Sequence, residues 1–299
     1  MIYRYFTKFF LILTLATLAC GYSFPKPAPV QEASIVPQLT AEQLKNAQYK
    51  LGARDDFAIV QLTDGQYQQG TDATTLDFAY VGLTEFVAIG DLTGDGLNEA
   101  AAILIENYGG TGNFAFLTIF TNVNGLPVFL YSTLIDDRPI IKGIAIENGE
   151  VYLDAIVHGL EDPGCCPALP TTRRYVLFNN QLRVTNYTTA IPDGTKRIIE
   201  ITSPANGAES TGNVQVSGTV SIAPFENNLS YFVYDEFSSQ LAAGPLTVTA
   251  PDLGAPATFN ESISLAGIPP GTTIYLEIQD LSAADGSLLA LDAVKLVVK

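Results

Sequence analysis

The chain has 299 residues, 47% of them hydrophobic, and a formal net charge of −16. That is apolar material for about two cores. Neutralising phosphates takes clustered Lys and Arg, which are missing here, so the charge argues against nucleic acid and against peripheral attachment to anionic lipid. A single His leaves no multi-His metal or acid–base site of the kind common in hydrolases.

The N-terminus carries the strongest local signal. Arg4 and Lys8 precede an uncharged, mostly apolar run from Phe9 to Ala19. The run is too short to span roughly 30 Å of hydrocarbon, but it suits the h-region of a signal peptide. It ends Ala16-Thr17-Leu18-Ala19-Cys20-Gly21, which resembles the lipobox of bacterial lipoproteins. Thr17 departs from the Leu more usual there. The resemblance implies cleavage before Cys20, acylation of Cys20 (palmitate among the chains) and an extracytoplasmic, lipid-anchored protein. Several acyl chains would anchor it firmly, at about 0.8 kcal/mol per buried methylene. Residues 21–38 then read as a tether, extended by Pro25, Pro27, Pro29 and Pro37.

Leu39 to Asn46 reads as a short helix, with Thr40 and Gln43 spaced as a capping box. The rest is almost wholly β in pattern. Strands are expected at Phe57 to Leu62, Thr75 to Val81, Phe86 to Ile89, and in the buried run Ala100 to Ile105. Phe114 to Phe120 and Val128 to Thr133 flank the loop Asn122 to Gly125. Ile140 to Ile146 and Val151 to Val157 flank Asn148-Gly149. Arg174 to Phe178 and Leu182 to Asn186 flank Asn179-Asn180. Pro192-Asp193-Gly194 marks a break, after which short strands recur at Val214 to Val220, Leu229 to Tyr234, Thr258 to Leu265, Thr273 to Ile278 and Ala293 to Val298. About seven short strands in about a hundred residues predict an immunoglobulin-like sandwich, without the Cys and Trp of antibody cores.

The expected fold is therefore mostly β. It comprises a signal peptide at 1–20, a Pro-rich tether at 21–38 and an α+β antiparallel-sheet domain at 39–190. A linker at 191–197 and an immunoglobulin-like β-sandwich at 198–299 follow. The last segment resembles the immunoglobulin-like domain of bacterial spore germination proteins. The likeness rests on Ile199-Glu-Ile-Thr-Ser-Pro204, Val214-Gln-Val-Ser-Gly-Thr219, Phe225-Glu-Asn-Asn-Leu229, Val233-Tyr-Asp235 and Asp285-Gly-Ser287. It implies an extracytoplasmic module without catalytic residues, and nothing about sporulation. The first domain resembles an uncharacterised secreted bacterial domain, through Leu39 to Asn46, Gly90 to Gly96 and the Cys-Cys-Pro segment.

Asp91-Leu-Thr-Gly-Asp-Gly-Leu-Asn-Glu99 looks like the calcium loops of FG-GAP repeats and dockerins. Asp91, Thr93, Asp95, the Leu97 carbonyl and Glu99 would be its oxygens. Thr93 stands where Asp or Asn is usual, and Ala102 where an EF-hand has its bidentate Glu. The other reading is a Gly-rich turn without metal. Cys165 and Cys166 are adjacent, and three readings stand open: a vicinal disulfide, a soft-metal pair with His158, or inert packing. Arg173-Arg174 either clamp a carboxylate or pair with acids on their own sheet. Phe225, Tyr231, Phe232, Tyr234 and Phe237 alternate between core and surface. Asp55-Asp56 and Asp136-Asp137 are strand neighbours that point apart, which is wrong for a glycosidase pair. No Gly-x-Ser-x-Gly or His-Glu-x-x-His occurs.

The functional expectation is a non-enzymatic cell-envelope lipoprotein. It would bind or scaffold an unknown envelope protein or polymer, with calcium as its one candidate cofactor and the membrane reached through the lipid anchor. An enzyme or enzyme accessory acting on envelope polymer, and a ligand-free spacer, are the alternatives.

Overall fold

The computed structural model describes residues 37–53 and 58–299. Cys20, the signal peptide, the tether up to residue 36, and Asp55, Asp56 and Phe57 lie outside the described residues. Thr40 caps one helical turn, α1 (Ala41–Leu44): its hydroxyl accepts from Gln43 N–H while Gln43 Oε1 accepts from Thr40 N–H, the capping box expected. Pro37 and Gln38, placed in the tether by sequence, are docked on the folded chain. The Pro37 carbonyl accepts from Asn122, and Gln38 Oε1 accepts from Asn98 N–H.

A two-stranded ribbon follows, β1 (Gln48–Lys50) with β2 (Ile59–Gln61). Then comes an antiparallel meander: β3 (Gln66–Gln69), β4 (Ala79–Gly90), β5 (Glu99–Asn107), β6 (Phe114–Val123) and β7 (Leu126–Asp137), neighbours in that order. The strands expected at Thr75 to Val81 and Phe86 to Ile89 are one strand, β4, and Thr75 to Phe78 turn instead. Asp72 causes the turn: its carboxylate accepts from Thr74 N–H and Oγ, and its carbonyl takes the Thr75 N–H. The irregular stretch of β4 between Leu83 and Val87 is bridged by Thr84, whose hydroxyl donates to the Ile103 carbonyl.

β5 shows why its sequence is a continuous apolar run. Ala100, Ala102 and Leu104 pack with Leu44, Tyr49 and Phe120 on one side. Ala101 and Ile103 pack on the other with Leu117, Val151, Leu153 and Tyr175. A strand buried on both faces has no use for polar alternation. The second face is covered by β8 (Ile140–Glu147), β9 (Glu150–Val157), β10 (Leu169–Phe178) and β11 (Gln181–Ala190), antiparallel neighbours in turn.

The C-terminal part is a sandwich. After β12 (Lys196–Arg197), one layer holds β13 (Ile199–Ser203), β15 (Asn213–Val220) and β18 (Ala257–Ser264). The other holds β17 (Gln240–Thr247), β16 (Asn228–Asp235), β19 (Thr273–Leu281) and β20 (Leu288–Val298), with β14 (Ala208–Ser210) parallel to β20. Val216, Val233, Phe259, Ile274, Leu276 and Leu296 fill the core between them. β17 escapes pattern reading because it contains Gly244-Pro245; it is an edge strand, where Pro is tolerated. Gly218 has no room for a side chain. A Cβ there would meet the Glu200 carbonyl oxygen at 2.2 Å and the Phe259 ring at 2.3 Å. Because one obstacle is backbone, Gly218→Ala should lower stability by about 2–3 kcal/mol, read from urea denaturation.

Residues 191–197, expected as a linker, form a tight turn and a strand. Gly194 N–H donates to the Ile191 carbonyl, Ile191 N–H to the Thr195 carbonyl, and Asp193 accepts from Thr195 N–H. β12 then pairs with β11. Pro and Gly punctuate a hairpin here, which a single sequence cannot tell from a domain break. β11 also pairs with β20, Asn186 to Thr188 against Asp292 to Ala290. One ten-stranded sheet thus runs β17-β16-β19-β20-β11-β10-β9-β8 through both modules, with β12 added on β11 and β14 on β20, and the described residues lie in one compact unit.

Candidate functional site

The loop after β4 is closed by its own backbone. Asp91 Oδ1 accepts from Gly94 N–H at 2.6 Å and Oδ2 from Gly96 N–H at 2.9 Å, and Asp95 accepts from Leu97 N–H. Gly94 and Gly96 have φ of 77° and 85°, which favour glycine. Glu99 is buried and accepts from Leu92 N–H. Burial raises its carboxyl pKa, and the charges of Asp95 and Asp91 add to the rise. The Gly96 N–H holds the Asp91 pKa below the usual carboxylate value, with the Gly94 N–H adding to that pull against desolvation. Thr93 sits exposed in the loop. No three His, Cys, Asp or Glu side chains converge as a metal set among the described residues. The acids here serve N–H groups, and each carboxylate oxygen keeps a further lone pair beyond the N–H it accepts.

Asp91→Ala should therefore lower the melting temperature even in EDTA, because the lost bonds to Gly94 and Gly96 N–H need no metal. The Asp91 contribution is present above its ordinary value of 3.8 and fades as pH falls through the depressed one. The deficit should shrink in acid accordingly. A calcium-dependent rise in melting temperature that Asp95→Ala abolishes would make the loop a cation site instead.

Cys165 and Cys166 are joined to each other in an exposed turn between β9 and β10. Asp162 closes this loop by accepting from Gly159 and Ala168 N–H. The disulfide uses both thiols, and His158 turns elsewhere. Its backbone N–H and Nδ1 both bond Asp136 Oδ2, at 2.6 and 2.9 Å. Asp137 turns instead to Arg138 and Asn113 N–H.

Alternation along β10 also sends Arg173 and Arg174 apart. Arg174 reaches Glu150 and Asp292 at 3.6 and 3.7 Å. Arg173 lies over the Tyr187 ring, 5.3 Å from its centre. Arg173, His158, Tyr187, Leu169, Leu288 and Asp285 line a cavity of about 420 Å³ where the two modules meet. A second concavity, about 770 Å³, lies between α1, the β1–β2 ribbon and the start of β7, with Ile59 and Leu126 exposed along it.

The aromatic stretch divides as alternation requires. Tyr231 packs against the sandwich core, while Phe232 and Tyr234 stack on the other face of β16, ring centres 6.1 Å apart. Arg183 from β11 covers Tyr234 and Tyr275, at 5.3 and 4.6 Å. Phe225 and Phe237 are exposed.

Residues 198–287 match the family described as the immunoglobulin-like domain of bacterial spore germination. The germination-type domain begins at the strand opening the sandwich, and β20, the strand that joins it to β11, lies past the matched residues. No curated protein matches the sequence. No helix among the described residues is long and apolar enough to cross a membrane.

Sequence reasoning missed Glu106, Asp136 as the partner of His158, and the cavity at the junction. A Glu ending the apolar run of β5 was a visible signal for the first. The other two depend on contacts between distant strands.

Proposed function

We propose that the chain is a non-enzymatic cell-envelope lipoprotein, anchored through Cys20, that presents a rigid two-module β body to an extracytoplasmic protein or polymer. The ten-stranded sheet common to both modules carries the scaffolding part of this reading. A body with paired strands across its junction holds its two ends in fixed relation, which suits a scaffold. The Arg4-Lys8 region, the apolar run and Cys20 support the anchor, and the tether's prolines would keep the body off the membrane. Cavities of about 420 and 770 Å³ fall in the ligand-site range and favour binding over a bare spacer.

Two measurements test the proposal. Radiolabelled palmitate should enter the wild-type protein in its host and not Cys20→Ser. The purified mature chain should co-sediment with isolated envelope material without releasing soluble fragments. Release of sugar or peptide would make the protein an enzyme; label in Cys20→Ser would remove the anchor.

A further inference from the structure

We propose that the cavity at the module junction binds the carboxylate of a peptide C-terminus with an apolar last side chain, using Arg173 and His158. This goes beyond the scaffolding reading, which rests on co-sedimentation and not on this cavity.

Arg173 stands apart from the other described arginines. Arg138, Arg174, Arg183 and Arg197 each have a carboxylate in ion-pair reach. Arg173 has none, although the chain carries 31 acidic residues against 15 basic ones. Its guanidinium has the Tyr187 ring on one face, and its Nε is shielded from solvent without a hydrogen-bond partner. Leaving a buried donor of a charged group unpaired is costly, and such groups in folded proteins call for an explanation.

The second shielded, unpartnered nitrogen on this cavity's lining is His158 Nε2. Asp136 fixes the ring through Nδ1 and the backbone through N–H, so the imidazole is held in place with its far nitrogen free. Because Nδ1 gives its proton to Asp136, Nε2 donates to a carboxylate only when the ring is protonated, and the Arg173 guanidinium beside it makes the main polar end. Leu160, Leu169, Val184 and Leu288 make an apolar remainder.

A carboxylate suits the Arg fork, which binds planar anions through paired N–H donors. Asp285 brings the lining's one acidic side chain, but it is closed on its own loop, accepting from Ser287 N–H and Oγ at 3.2 and 2.9 Å. It is therefore not the missing partner of Arg173. The cavity volume of about 420 Å³ holds one or two residues of a peptide, not a long chain.

The test uses the chain from residue 21 onward, which lacks only the signal peptide and the lipid-bearing Cys20, with N-acetyl-leucine as probe and N-acetyl-leucinamide as its uncharged twin. Calorimetry should show the acid binding at least about tenfold more tightly than the amide, the loss of one charge-assisted pair. The Nε–H resonance of Arg173 should move with the acid and stay still with the amide. Arg173→Gln should lose the preference, and Arg173→Lys, which keeps charge without the fork, should recover part of it. Equal binding of acid and amide, or no binding of either at millimolar concentration, overturns the proposal. The comparison of the two probes needs no variant, so a variant that folds poorly does not spoil it.

Discussion

Glu106→Ala should cost about 3–5 kcal/mol of folding stability, the scale for breaking a buried charged network from one side. Glu106 closes β5 and is fully buried. Its carboxylate accepts from the Tyr49 hydroxyl, from Tyr108 Oη at 2.5 Å, and from Gly52 and Ala53 N–H at 2.8 and 2.9 Å. An ionised carboxylate only accepts, and these four donors fill its acceptor sites. Removing it strands the Tyr49 hydroxyl in the core, along with two backbone N–H groups. The hydroxyl stays a donor because burial raises its pKa, and the Glu106 charge raises it further. Glu106→Gln keeps one acceptor but turns an NH2 toward donors, so about 2 kcal/mol is expected. Tyr49→Phe, removing one donor, should cost about 1 kcal/mol. Urea denaturation measures all three. A Glu106→Ala loss under about 1 kcal/mol would mean the carboxylate is not the hub of this corner.

Arg183→Ala should destabilise by about 2–4 kcal/mol, chiefly by abandoning Glu277. The two groups meet at 2.9 Å, with side chains only 11% and 8% exposed. Arg183 also bonds Ser238 and stacks on Tyr275, so one side chain from β11 grips β19 and the end of β16. Burial raises the Glu277 pKa above its ordinary value of 4.5, against the pull of Gln279 and Arg183. A carboxyl raised on folding favours the folded state most when protonated, below its unfolded value. That advantage is lost as pH rises through the folded value. Without Arg183 the pKa should climb further. The deficit of Arg183→Ala should therefore be greatest near neutrality and shrink as pH falls toward 4.5. A cycle with Glu277→Gln should show coupling of about 1–3 kcal/mol. A deficit independent of pH would assign the effect to lost packing of the guanidinium.

What was legible in the sequence was local or periodic. Thr40 and Gln43 announced their capping box because both partners lie within one turn. Asn124-Gly125 and Asn148-Gly149 announced their hairpins because both residues of each pair adopt positive φ, which Asn and Gly tolerate best. The run in β5 was readable as buried, though not as buried on two faces by different sheets. The Asp91 loop was readable as a turn, while its ligand chemistry was not, since the spacing that can gather a cation can also gather N–H groups. What escaped was long-range. Glu106 meets Gly52 across 54 positions, Arg183 meets Glu277 across 94 and His158 meets Asp136 across 22. The turn at 191–197 misled because the residues that end a domain also end a hairpin.

The pairing of β11 with β20 has a consequence in time. Asn186 and Asp292, bonded across the seam, stand 106 positions apart. During synthesis β11 is complete about a hundred residues before the strand that covers its edge, and closing so long a loop is slow. Until then the sheet of the first module ends in a row of unpaired N–H and C=O groups, the kind of edge that recruits other chains. A chain truncated after β19 would keep that edge for good. It should aggregate even though every residue of its first module is present.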